Sequence, residues 1–428
     1  MFRKILGVIG TRYLIAFLNL LLIFINAKVL GADGLGLIGL IIASMNIAVM
    51  VNSVLCGNTI VYFMNRYSFR MIFLPAYLWA LIGSAAACGI MALIGLIPAG
   101  YGGDVYLLAV VNSLIAANSR FLLGKDRMRG FNLTFMLQGG LLVVLVLYLE
   151  AVAERQDVPA YLTGLYVANG IAFTVSLVWI LPYLMKREKE AEGGRTPLMV
   201  IMKKMFAYGL WSSADNLAEN CTTRLNYFLI QHFSGLGAVG LLDAGTKISE
   251  SAWHISRSIC FIEYSSIAKT PDTAEQKRIT LQLFKLTFCA MTFVMGCILL
   301  IPEWVYTDYL FSAEFKGMRM VVVGLSFGVV ALGCNSILGH YFIGSGKIRY
   351  STYSSCIGLL TLLLAGYLLI PRYGVTGSAF STSIAFCAML AFSLTIFTRQ
   401  TGARLREFLP ERTDWLYLKD KLTQRFSR

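Results

Sequence analysis

Long apolar blocks alternate with short polar connections along the chain. The blocks lie at 12–30, 36–57, 72–97, 104–123, 131–150, 159–185, 206–231, 236–262, 280–302, 320–343, 350–370 and 374–398. A helix that crosses a bilayer needs about 20 mostly apolar residues, and each block supplies them, so the pattern predicts twelve helical spans. Together these occupy about 240 residues of the 428, which leaves no room for a separate soluble domain. One connection reads as an internal boundary. Residues 186–204, opening Lys-Arg-Glu-Lys-Glu-Ala-Glu-Gly-Gly-Arg, divide the spans into six plus six. The expected organisation is an N-lobe at 1–190, a linker at 191–205, a C-lobe at 206–398 and a tail at 399–428. The tail carries Trp415, Leu416, Tyr417 and Leu418 among cations, a pattern expected to lie on the inner membrane face.

Composition agrees with this class. Apolar residues make up 57% and charged residues 14%, against about 25% charged in a soluble domain. The mean hydropathy of +0.68 excludes a soluble globular protein, a coiled coil and a disordered chain. The net charge of +14 invites a nucleic-acid reading, but the positions of the cations give a better account. Arg3 and Lys4, Arg66 and Arg70, Lys125 to Arg129, Lys186 to Lys204, and Lys347 with Arg349 fall in alternate connections. The other connections carry few cations, so the positive-inside rule places both chain ends in the cytoplasm and no nucleic-acid partner is expected. The amino end is read as the first span rather than a cleaved signal, because no small-residue cleavage site follows and Arg12 interrupts the run. The nine cysteines form no CxxC pair and are expected to be small buried apolar residues.

The two halves repeat. Gly124-Lys125-Asp126-Arg127 precedes span 5, and Gly346-Lys347-Ile348-Arg349 precedes span 11. The turn Leu30-Gly31-Ala32-Asp33-Gly34-Leu35-Gly36-Leu37 has a counterpart in Ser234-Gly235-Leu236-Gly237-Ala238-Val239-Gly240-Leu241, and Gly36 and Gly240 are 204 positions apart. Each half has an even number of spans and starts on the same side. Such repeats are parallel, with a solute path between the lobes. The expected fold is therefore an all-α membrane protein of two six-helix lobes around a central cavity.

The glycine-rich turn at 29–36 resembles the polysaccharide-transport branch of the multidrug/oligosaccharidyl-lipid/polysaccharide (MOP) superfamily. So do the Gly-Lys opening of span 11 and the stretch Leu369-Ile370-Pro371-Arg372-Tyr373-Gly374-Val375-Thr376-Gly377-Ser378-Ala379. The resemblance covers roughly residues 1–398. It implies a Wzx-type flippase in the bacterial inner membrane, moving undecaprenyl-diphosphate-linked oligosaccharide such as an O-antigen or capsule repeat unit. The implied partner is that lipid-linked substrate; membrane lipids, H+ or Na+ as coupling ion, and polysaccharide assembly proteins are further expected partners. The peptidoglycan lipid flippases usually carry two more spans than the twelve found here.

Charges inside a membrane usually face a cavity or a partner, and here they concentrate in the second half. Spans 7 and 8 hold Asp215, Glu219, Arg224, Asp243, Lys247, Glu250, His254, Arg257 and Glu263. On span 8, Asp243, Lys247, Glu250, His254 and Arg257 fall within one arc of about 80°. They form either a self-neutralising ladder or the polar wall of the cavity. Arg224 points about 120° from the polar face of span 7 and reads as snorkelling to the interface. Asp215 and Glu219 are two carboxylates one turn apart; they suit an ion-coupling site or a hydrogen-bonded structural pair. Span 1 contributes Arg12, Asn19 and Asn26 at seven-residue spacing, with Lys28 near its outer end, and span 2 contributes Asn46. These asparagines either line the cavity or join helices.

The available cations for a diphosphate head are Arg12, Lys28, Arg120, Lys247 and Arg257. No nucleophile–base–orienter spacing occurs, the histidines at 232, 254 and 340 are too scattered for a metal site, and no cofactor is expected. The Gly346-Lys347 pair lacks the remaining residues of a phosphate loop. The leading expectation is a lipid-linked oligosaccharide flippase and not an enzyme. The alternatives are a multidrug/cation antiporter of the same fold, or a membrane glycan polymerase or glycosyltransferase. The last class usually needs a larger outer loop than the one near 303–319.

Overall fold

A computed structural model describes residues 2–64, 67–125, 127–151, 157–185, 197–267 and 272–408. Among them every regular element is helical: α1 (Phe2–Cys56), α2 (Asn58–Phe63), α3 (Phe69–Leu93), α4 (Gly102–Gly124), α5 (Met128–Ala151), α6 (Val158–Met185), α7 (Leu198–Ser234), α8 (Leu236–Ile267), α9 (Thr273–Leu299), α10 (Met318–Gly344) and α11 (Arg349–Thr401). Two of these are double spans. Helix α1 is broken at Gly31 (φ 68°) and α11 at Gly374 (φ 54°), in a backbone region that side chains other than glycine's rarely adopt. Counting both as two passes, and leaving out the six-residue α2, gives the twelve expected spans. Among the described residues eight helices are long and apolar enough to cross a membrane; α7 and α8, which carry the buried charges, lie outside that set.

The helices α1–α6 form the N-lobe and α7–α11 most of the C-lobe, with α1 packed on α7 and α8 between them. The repeat is visible in the backbone. Gly31 (φ 68°, ψ −172°) and Gly235 (φ 84°, ψ −176°) take the same conformation at equivalent turns. Both turns lie on the face of the molecule opposite the linker, called here the far face.

Helix α7 starts at Leu198, inside the stretch expected as linker, and residues 186–196 are outside the described residues. Its first turns belong physically to the N-lobe: Ile201 and Met205 are fully buried in an apolar cluster with Ile60, Phe63 and Phe121. Gly209 is what permits this approach, because a Cβ there would collide with the carbonyl oxygen of Val54. After span 12 a short 3-10 turn, Leu405–Phe408, folds back on the C-lobe. Phe408 sits edge-on to Phe284 and Phe397, and Glu407 pairs with Lys277 at 2.9 Å. The rest of the expected tail, from 409, is outside the described residues.

The cysteines depart from expectation. Cys56, Cys88, Cys260 and Cys334 are buried, but Cys297, Cys356 and Cys387 are exposed on the helix surfaces. In a bilayer a small apolar residue is as well placed toward lipid as toward the core, so burial does not follow from apolarity.

Candidate functional site

Helices α7 and α8 meet at the far-face turn and run back side by side, which brings their polar faces together. Asp243 of α8 accepts a hydrogen bond from the Tyr227 hydroxyl (3.0 Å) and pairs with Lys247 one turn on (2.8 Å). Arg224 of α7 donates to the Tyr227 oxygen (3.0 Å) and pairs with Glu250 (3.4 Å). Two cations, two carboxylates and a phenol thus form one cluster whose formal charges cancel. Its location is the lobe boundary: a Cβ on Gly39 of α1 would stand only 3.3 Å from the Asp243 carboxyl carbon.

Arg224 therefore does not snorkel. A helical wheel gives its angle on α7 but not which helix lies there, and α8 does, with a carboxylate facing it.

Exposure changes along the α8 stripe. The Asp243 side chain is 1% exposed and Lys247 25%, Glu250 is 20% exposed, His254 is half-buried and Arg257 is exposed. The stripe runs from a sealed far-face end to an open linker-face end. At its buried end the stripe pairs its charges as a self-neutralising ladder would, while Arg257 at its other end is exposed. Arg257 lies over the Trp253 ring, 3.9 Å from the centroid, and Trp253 Nε1 donates to Ser336 Oγ (3.2 Å). His340 holds the Ser336 carbonyl through Nδ1 (2.7 Å).

Nearer the linker face, both oxygens of Asp215 are engaged. Ser351 and Ser355 of α11 each donate a hydroxyl to the carboxylate at 2.7 Å. Glu219, half-buried one turn along α7, is within electrostatic reach of Asp215 and Arg257. Ser351 and Ser355 escaped the sequence reading, although their i,i+4 spacing at the start of span 11 marks one polar helix face. Against the Tyr227–Glu250 side of the charge cluster lies a cavity of about 10 Å³, lined also by Asn226, Thr246 and Thr382, room for about one water.

The N-lobe interior has a different character. Asn52 donates to Ser84 and Ser113 (2.7 Å each), Asn118 to Ser176, and Gln138 to Asn112 and Asn169. These are uncharged amides and hydroxyls. Asn26 is buried and Asn46 half-buried on α1, while Lys28 is exposed one turn before the Gly31 break. Arg120 is half-buried one turn from the linker-face end of α4, a helix that packs on α1, α3, α5 and α6 within the N-lobe. The side chains of Arg12 and Asn19 are outside the described residues. Among the described residues no three His, Cys, Asp or Glu side chains gather as a metal site.

On the far face the boundary is closed backbone to backbone. A Cβ on Gly36 would collide with the Leu236 carbonyl oxygen, and one on Gly240 with that of Ala32. Beside them a Cβ on Gly237 would stand 3.0 Å from the Asp33 carboxylate.

No family model matches the chain. The "Putative O-antigen transporter" of Shigella flexneri is 21% identical over 187 residues, which is 42% of this chain and 44% of that protein. The "Uncharacterized membrane protein MJ1068" of Methanocaldococcus jannaschii is 21% identical over 197 residues, 45% of this chain and 39% of that protein. These matches span less than half the length of either relative. Solved structures match over nearly the whole chain. A multidrug resistance MATE family transporter of the MOP superfamily, in an inward-facing conformation, has a TM-score of 0.70 at 15% identity, covering 91% of this chain and 94% of that one. The lipid II flippase MurJ has a TM-score of 0.64 at 13% identity, covering 93% and 88%. The chain is thus a multi-pass membrane protein with the two-lobe, all-helical fold of the MOP-superfamily transporters.

Proposed function

We propose that the protein is an alternating-access flippase for an undecaprenyl-diphosphate-linked oligosaccharide, an O-antigen or capsule repeat unit, in the bacterial inner membrane. The observation that carries this reading is the α8 stripe, sealed at Asp243 and open at Arg257. It presents cations to a cleft, where a diphosphate head needs them. Charge-assisted hydrogen bonds to such a head contribute about 1.5–3 kcal/mol each. The linker face is cytoplasmic, by the cation distribution, so the cleft opens where lipid-linked sugars are assembled and the far face is the exit. The match to a protein named as an O-antigen transporter points the same way. Asp215 and Glu219 are the candidate coupling carboxylates for H+ or Na+, and assembly proteins are the expected neighbours.

A second reading is a multidrug/cation antiporter. The Asp215–Glu219 pair favours it, since an acidic cleft attracts organic cations. The cations on the stripe oppose it. Proteoliposomes carrying a fluorescent lipid-linked glycan on one leaflet test the choice. Protein-dependent appearance of the glycan on the other leaflet supports the flippase, and cation efflux without glycan movement supports the antiporter.

A further inference from the structure

The connection between α9 and α10 lies over the far face as a strap. Glu303 at its start accepts a hydrogen bond from the Gly317 backbone N–H at its end (2.5 Å), which closes the strap on itself. Val305–Leu310 within it is a π-helical turn, a rare geometry concentrated at functional positions. Trp304 and Tyr309 are exposed on its outer side, where such rings anchor at a membrane–water boundary. Its inner side carries Tyr306, Phe311 and Phe315, which are buried against Ile23, Ala27 and Leu35 of α1. The rings of Phe24 and Phe311 meet edge to face at 5.2 Å.

One polar contact joins this apolar surface. The break at Gly31 makes the second half of α1 start afresh, and the first N–H groups of a helix lack intrahelical partners. The Ala32 N–H donates to Glu314 Oε2 at 2.7 Å, a partner 282 residues away. Gly31 leaves room for it, since a Cβ there would stand 2.6 Å from the same oxygen. A C-lobe carboxylate therefore caps an N-lobe helix, across the boundary that has to part if the far face is to open.

We propose that strap 303–317 is a latch on the far-face gate, with Glu314 as its catch on α1. The strap is closed on itself and held to α9 and α10, so it travels with the C-lobe. Parting of the lobes then strips the cap from Ala32 and separates Phe24 from Phe311. The latch biases the carrier toward the linker-open state and resists opening of the exit while the cleft stands empty. It does not depend on what the cleft carries.

The test is a cysteine reporter at Leu241, which packs against this cluster, in a background with the native cysteines replaced. Labelling by a membrane-impermeant maleimide from the far side reads how often the gate is open, with no substrate required. Glu314→Ala should raise the labelling rate by about 2- to 30-fold, the range that loss of one helix cap produces. Glu314→Gln, whose amide oxygen still accepts from Ala32, should label close to the wild-type rate. Glu314 is exposed, so both variants should reach the membrane at the normal level. A Glu314→Ala protein that labels no faster than wild type would overturn the latch, as would an equal rise in both variants. Failure of glycan flipping would leave these rates untouched and so bears only on the cargo.

Discussion

Gly36 of α1 and Gly240 of α8 pack backbone to backbone across the lobe boundary, each the counterpart of the other in its own half of the chain. Their reciprocal contact marks the pseudo-symmetry axis at the far face. Nothing larger than hydrogen fits at either position, because the opposing atoms are main-chain carbonyls that cannot turn aside.

Gly36→Val and Gly240→Val should therefore push the far face open. The checking measurement is labelling of a Leu37→Cys reporter from the far side, expected to rise about ten-fold, a shift of about 1.4 kcal/mol. An unchanged rate would mean that the seal lies elsewhere.

The charge cluster should respond to balance more than to any one residue. Lys247→Gln leaves the buried Asp243 without its cation, and breaking a buried pair costs about 3–5 kcal/mol, so membrane-inserted protein should fall. Asp243→Asn with Lys247→Gln should restore the level. Comparing export in Lys247→Gln, Arg257→Gln and the triple Asp243→Asn, Lys247→Gln, Glu250→Gln then separates packing from binding. Normal export by a well-expressed triple variant would remove this cluster from the substrate site.

Asp215→Asn keeps the shape of the side chain and one acceptor for Ser351 or Ser355. The protein should insert normally and lose its response to an imposed H+ or Na+ gradient in proteoliposomes. An undiminished gradient response would exclude Asp215 from coupling.

With the cation-rich connections inside, an impermeant thiol reagent added outside should reach cysteines placed at Gly102 and Ala153 and miss those at 190–195. The reverse pattern would invert the molecule and the assignment of entrance and exit.

The Lys277 ammonium, by hydrogen bond, and the Arg404 N–H together hold the Glu407 carboxyl below its ordinary value of 4.5. A depressed carboxylate contributes stability above its unfolded pKa and loses it as pH falls through the folded one. Acidification below about pH 4.5 should loosen the Leu405–Phe408 segment toward proteolysis, and Glu407→Gln should remove that pH response. The pair is exposed, so its effect is small, at most about five-fold. Phe408→Ala, which deletes the ring between Phe284 and Phe397, should loosen the segment more.

Much of this architecture is legible in the residues themselves. Bilayer thickness enforces the length of each apolar block, which is why twelve passes and the six-plus-six division can be read directly. The 204-residue offset between Gly36 and Gly240 anticipates a contact, because equivalent residues near a symmetry axis meet. The concentration of charge in α7 and α8 is equally plain. What sequence does not carry is which helix stands opposite. Arg224 finds Glu250 26 positions on, Asp215 finds Ser355 at 140, and Ala32 finds Glu314 at 282. No periodicity within one helix encodes those partners.

The cancelling charges of Arg224, Lys247, Asp243 and Glu250 have an electrical consequence. Moving one elementary charge through a membrane potential involves about 2.3 kcal/mol per 100 mV. Four boundary charges that sum to zero carry no net charge as the lobes rock, so the potential neither drives nor opposes the return of the empty carrier through them. A bound diphosphate would break that balance. On the loaded stroke alone, this site would feel the membrane voltage.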